Sequence, residues 1–120
     1  MKCPPNCFKC CLDTEMILSE SDIKRIESLG YKREYFTEFR DGFYRLRNID
    51  GHCIFLNIET GKCKIYSYRP IGCRVYPVIY DLNKGFILDT DCPAINTVTG
   101  REFLYKVRLL SKLLSELGII

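Results

Sequence analysis

No stretch of about 18 uncharged apolar residues, the length a membrane-crossing helix needs, occurs in this chain. Met1-Lys2 leads straight into Cys3-Pro4-Pro5, without the apolar run of a signal peptide. Both absences point to a cytoplasmic protein with no membrane partner. Charge imbalance is also scarce. The formal net charge of +3 sets up no strong field for nucleic acid or anionic lipid. Residues 24–47 hold most of that excess, seven Lys/Arg against four Asp/Glu, and read first as a solvated basic face, with a nucleic-acid surface the minor alternative. Histidine occurs once, as His52. With no Gly-rich nucleotide loop and no evident nucleophile–base pair, no catalytic residue is assigned and the enzyme question stays open.

What the chain does have is a core and an excess of thiols. At 120 residues and 47% hydrophobic, it has the size and composition of one folded domain. Eight cysteines, Cys3, Cys7, Cys10, Cys11, Cys53, Cys63, Cys73 and Cys92, amount to one residue in fifteen. Such density arises from disulfides that staple a weak core or from thiolates that hold metal. A chain of this size folds without staples, and thiols kept reduced in the cytoplasm favour metal. A disulfide scaffold is the least favoured alternative.

The expected fold is α+β: a small single domain, residues 1–120, with short strands, irregular cysteine-rich loops around a metal site and a C-terminal helix. Residues 1–12, MKCPPNCFKCCL, form the N-terminal ligand loop, since two prolines and four cysteines suit neither helix nor strand. Thr14–Leu18 is a short apolar run, read as a strand. Ser19 caps a helix with Glu20 and Asp22 in its first turn, Ile23, Ile26 and Leu29 on its apolar face, and Gly30 as terminator. Tyr35–Phe39 is read as a second helical turn. Phe43–Arg47, Cys53–Ile58 and Cys63–Tyr66 read as extended segments separated by Asp50-Gly51 and by Glu59-Thr60-Gly61. Residues 78–82 and 85–89 form a hairpin. The last helix, residues 99–117, opens on the capping box Thr99-Gly100-Arg101-Glu102 and carries Phe103, Val107, Leu110, Leu114 and Leu117 on one face. Arg101, Arg108 and Lys112 lie on another stripe, read as solvated.

Cys7 and Cys10 have the C-x2-C spacing that turns two sulfurs towards one ion. The adjacent Cys10 and Cys11 are awkwardly placed to share an ion from a regular backbone. The N-terminal group thus needs partners from Cys53, Cys63, Cys73 and Cys92, and a metal would tie the N-terminus to the middle of the chain. Cys3-x3-Cys7-x2-Cys10 also has the spacing of radical S-adenosylmethionine proteins, but the partial barrel that this resemblance implies needs far more chain. Three close thiolates suit an iron–sulfur cluster as well as zinc. All five prolines lie within four residues of a cysteine, as stiff ligand-bearing loops would place them. Arg69 and Arg74 flank Cys73 and are candidates to offset a thiolate–metal charge; contacts to carbonyls or surface ion pairs are the alternative. His52, beside Cys53, is a minor candidate ligand.

The run Cys53-Ile54-Phe55-Leu56, Gly61-Lys62-Cys63-Lys64-Ile65-Tyr66 and Arg69-Pro70-Ile71-Gly72-Cys73-Arg74-Val75-Tyr76-Pro77 resembles the YkgJ-type CxxCxxCC cysteine-cluster family. Cys7-x2-Cys10-Cys11 fits that family's opening motif and Cys92-Pro93 its late cysteine, so the resemblance spans residues 3–93; Cys3 departs from the spacing by one residue. It implies chelation of zinc or iron by the eight cysteines. Flagellin lysine methylases carry a related cluster, so a cluster-dependent group-transfer enzyme or subunit is a second expectation. A structural zinc module that offers its last helix to a protein partner is a third. The first expectation is a metal-binding protein using an iron–sulfur cluster, of the 4Fe–4S type, or zinc, for redox, sensing or metal handling.

Overall fold

The computed structural model of the protein describes residues 11, 12 and 14–120; the ligand loop assigned to residues 1–12 lies outside them except for Cys11 and Leu12. The described chain is a mixed α+β arrangement of helices and short antiparallel hairpins. Its order is α1 (Glu20–Glu27), α2 (Arg33–Phe36), β1 (Thr37–Arg40), β2 (Phe43–Leu46), β3 (Asn48–Ile49), β4 (His52–Cys53), β5 (Leu56–Asn57), β6 (Lys62–Cys63), α3 (Ile71–Val75), β7 (Val78–Asp81), β8 (Gly85–Leu88) and α4 (Gly100–Glu116). A single 3-10 turn precedes α3, and another precedes α4.

Turn chemistry sets the hairpins. β1 meets β2 with Arg40 opposite Phe43, leaving Asp41-Gly42 as the loop; β3 meets β4 with Ile49 opposite His52, leaving Asp50-Gly51. All four loop residues have positive φ, between 50° and 86°. That is the two-residue turn whose twist matches paired strands, and Asp-Gly is among its preferred sequences. β7 and β8 are joined by a three-residue loop, where Asp81 Oδ1 accepts from the backbone N–H of Asn83 and of Lys84. Residues 14–18, expected as a strand, run antiparallel to β2: Leu18 N donates to Tyr44 O and Leu46 N to Met16 O. The Asn48 side chain extends this pairing, accepting from Thr14 N at 3.0 Å and donating to Thr14 O at 2.7 Å.

Two apolar clusters result. The first gathers Leu18, Ile23, Ile26, Phe36, Leu46, Cys53, Phe55 and Ile65, with Phe55 edge-on to Tyr31 at 5.0 Å between ring centres. The second gathers Val75, Val78, Leu110, Leu113 and Leu114, flanked by Tyr80 and Phe86, and is made by packing α4 on α3 and β7. α3 joins them: Cys73 packs against the first cluster while Ile71 and Val75 belong to the second. Its Gly72 backs onto Met16, whose sulfur occupies the place where a Cβ would stand.

Several expected elements take different forms. The helical turn read at 35–39 is α2, ending at Phe36, after which residues 37–40 pair as β1. The extended segment 53–58 is split into β4 and β5, because the chain turns at Ile54-Phe55 to sink Phe55 into the first core at 1% exposure. The segment 63–66 ends as a strand at Cys63. Leu29, expected on the apolar face of the first helix, is exposed, since α1 ends at Glu27. The hairpin at 78–89 and the C-terminal helix match expectation: Thr99 caps α4 by accepting from Glu102 N at 3.1 Å, and Gly118 follows it at φ 77°. Among the described residues, no helix is long and apolar enough to cross a membrane.

Candidate metal centre

Four cysteines reach the first core from four places in the chain. Cys53, in β4, is a member of the buried cluster, and Cys11, Cys63 and Cys73 pack against it. Each arrives by a local device. Leu12 bridges antiparallel to His52, which brings the neighbouring Cys11 to the core that holds Cys53. The Asp50-Gly51 turn folds β4 back on β3 and buries Cys53 opposite Asn48. Cys63 pairs with Leu56 across the β5–β6 hairpin, continued by Lys64 N donating to Phe55 O at 2.7 Å. Cys73 sits midway along α3, which starts after Pro70, a residue with no backbone N–H to lose. Cys92 is also buried, in the turn between β8 and α4. Cys3, Cys7 and Cys10 lie outside the described residues. Among the described residues, no three His, Cys, Asp or Glu side chains converge closely enough to hold an ion. The shared core therefore presents thiols from separate elements, without a complete ligand set in the described part.

The helix carrying Cys73 is positioned by a residue that sequence reading had placed only in a helix first turn. Asp22 is fully buried. Its Oδ2 accepts from Ser19 N at 3.2 Å while Ser19 Oγ accepts from Asp22 N at 3.1 Å, a reciprocal cap on α1. Its Oδ1 accepts from Arg25 Nη2 at 2.7 Å and from Ile71 N at 3.1 Å, the first residue of α3. Arg25 Nη2 also donates to Arg69 O at 3.1 Å. One carboxylate thus satisfies backbone donors at the starts of two helices and holds a guanidinium that grips the Arg69-Pro70 segment. Burying a carboxylate is tolerable only when it is this well paired. The Ser-x-x-Asp spacing announces the cap; the link to residue 71, forty-nine positions away, has no local signature.

Arg69 and Arg74 have carbonyl partners. The Arg69 guanidinium lies over the Tyr66 ring at 4.0 Å and Nε donates to Tyr66 O at 3.1 Å; Arg74 Nη2 donates to Ser67 O at 3.1 Å. Both brace the 3-10 turn that leads from Cys63 to Cys73. His52 Nδ1 lies 2.9 Å from Cys53 O.

A core that collects cysteines from a terminal segment, two hairpins and a short helix defines a cysteine-cluster domain. The chain belongs to the CxxCxxCC family, whose model matches residues 2–102 and is described as a "Putative zinc- or iron-chelating domain". Metal binding is thus the family's character, with zinc or iron as the metal. The chain is also similar to an uncharacterized protein of Methanocaldococcus jannaschii, 33% identical over 90 residues, which covers 67% of this chain and 48% of that protein. It spans about half the length of that relative. No solved structure matches the chain.

Proposed function

We propose that the protein holds an iron–sulfur cluster, or failing that zinc, through thiolates contributed by the N-terminal motif and the first core, and that this site serves redox, sensing or metal handling. The observation that carries the reading is the meeting of Cys11, Cys53, Cys63 and Cys73 at one core from four separate segments. Thiolates are soft donors that suit both metals. Cys7, Cys10, Cys53, Cys63 and Cys73 would be the principal ligands, with Cys92 a further one. Cys3, displaced by one residue of spacing, and Cys11, in competition with Cys10, rank last. Bound iron with sulfide would supply one-electron chemistry; zinc would supply a fixed structural cross-link. The protein's own part is to deliver the thiols, to keep two of them, Cys53 and Cys92, away from solvent, and to brace the Cys63–Cys73 segment through Arg69, Arg74 and the Asp22–Arg25 pair. The reading takes the thiols to be reduced, as in the cytoplasm.

Anaerobic purification, elemental analysis and an absorption spectrum test it. Iron with sulfide supports the cluster, zinc alone replaces it with the structural reading, and a metal-free folded protein overturns both. Metal per chain in single serine variants then orders the ligands: Cys10→Ser or Cys73→Ser loses most of the metal, and Cys3→Ser loses less. The reverse order would show that the N-terminal and central motifs do not share a site.

A further inference from the structure

α4 turns two different faces outward and inward. At 3.6 residues per turn, Leu110, Leu113 and Leu114 define the buried face. Arg101, Leu104, Tyr105, Arg108 and Lys112 fall on the opposite one, a stripe about 16 Å long at ~1.5 Å per residue. All five are exposed, and the two apolar members are strongly so: Leu104 at 61% and Tyr105 at 63%. No ion pair engages Arg101, Arg108 or Lys112 among the described residues. Of the helix's two acids, Glu102 sits to the side of the stripe, and Glu116 lies at its C-terminal end, one turn beyond Lys112, where it accepts from Ser21 Oγ at 2.8 Å. The stripe therefore combines three cations, against one carboxylate at its end, with a leucine and a tyrosine left in water. Singly exposed apolar side chains are ordinary on a protein surface; here two consecutive ones form a small apolar patch set between cations. Nearly all of α4 also lies beyond residue 102, where the match to the chelating family ends.

We infer that this outer face of α4 is a docking surface for an acidic, amphipathic protein segment, whose carboxylates pair with Arg101, Arg108 and Lys112 and whose apolar side chains cover Leu104 and Tyr105. Charge complementarity fixes the sign of the partner. Tyrosine and arginine are residues that interfaces favour. The surface fits protein better than nucleic acid. Three cations on one helix of a chain with net charge +3 give few phosphate contacts, and salt-driven phosphate binding grows with the number of such contacts.

The test uses the full chain and defined probes: a helical peptide with glutamates and leucines interleaved on one face, the same peptide with lysine for glutamate, short duplex DNA, and vesicles containing phosphatidylserine. The glutamate peptide should bind, shift the backbone amide resonances of α4, and weaken as salt rises. Arg101→Glu/Arg108→Glu/Lys112→Glu should weaken it at least about tenfold, the scale of charge-pair loss at interfaces. Leu104→Ala/Tyr105→Ala should weaken it severalfold. Since these side chains are exposed, thermal midpoint and metal per chain should stay unchanged in both variants, which separates this surface from the metal site. Equal binding of the lysine peptide, unchanged affinity in the charge-reversed variant, or tighter binding of DNA or vesicles would each overturn the inference. So would self-association of the protein that the same substitutions abolish, since the stripe would then serve a second copy.

Discussion

Cys53 and Phe55 lie at the heart of one core; Leu113 and Val78 lie at the heart of the other. The second core is built from the longest helix among the described residues, 17 residues, against a hairpin of two four-residue strands. The part of the first core that carries cysteine is built from strands two residues long, β3 to β6. Hairpins so short cannot stand by themselves, since each contributes few ladder hydrogen bonds and little buried surface. The cysteines gather where regular structure is thinnest. On the proposed reading, metal–thiolate bonds replace the missing ladder, whereas helix α4 needs only aliphatic burial.

The strongest way to break this contrast is to remove the metal. A chelator under reducing conditions should lower the thermal midpoint steeply, because structural zinc contributes on the order of 10 kcal/mol of apparent folding free energy in small domains. Backbone amide exchange should accelerate first in residues 48–73 and last in 103–114. Equal acceleration in both regions, or none after complete metal loss, would show that the two cores do not differ in this way. Next in size is Leu113→Ala. Truncating a buried leucine costs about 2–5 kcal/mol, so the midpoint should fall while metal per chain holds. Loss of metal in that variant would mean that the second core also organises the cysteines.

The smallest effect sharpens the comparison at the edge of the second core. The two backbone donors at the Asp81 carboxylate, Asn83 N first and Lys84 N second, hold its pKa below the ordinary value. A depressed carboxylate contributes stability above its unfolded pKa of about 3.9 and loses it as pH falls through the lower folded value. Asp81→Ala should therefore reduce the midpoint slightly near neutrality and flatten its acid dependence below about pH 4. An unaltered acid profile would assign that dependence to other carboxylates.

Legibility followed the same division. α4 could be read because a 3.6-residue period, a cap and a terminal glycine agree over 17 residues, and the β7–β8 hairpin because its two apolar runs flank a polar turn. In the first core, segments of two to four residues are too short for periodicity to resolve. Reading 53–58 as one strand missed the turn that sinks Phe55, a choice made by tertiary packing rather than by propensity. The β1–β2 hairpin did carry a signal, Asp41-Gly42, of the same kind as Asp50-Gly51. At the site, the cysteines that share a core are plain in the sequence as thiols, and motif spacing grouped them. Asp22 and Gly72 were not legible as parts of the site, because what defines them are contacts with Ile71 and Met16, remote in the chain.

The closeness of Gly72 to Met16 makes these two positions a single unit of variation. Any side chain at 72 must displace the Met16 thioether, the far end of a flexible side chain that lines an open cavity together with Gly72, Val75 and Leu110. Overpacking in a filled core costs about 1–3 kcal/mol, and a movable thioether beside a cavity places this case at the low end of that range. Gly72→Ala should thus be destabilising alone, whereas in a Met16→Ala background most of that penalty should vanish. A double-mutant cycle on thermal or denaturant midpoints would read the coupling directly. Sequences that enlarge position 72 are then favoured where position 16 has already become small, so the order in which the two changes arise is biased.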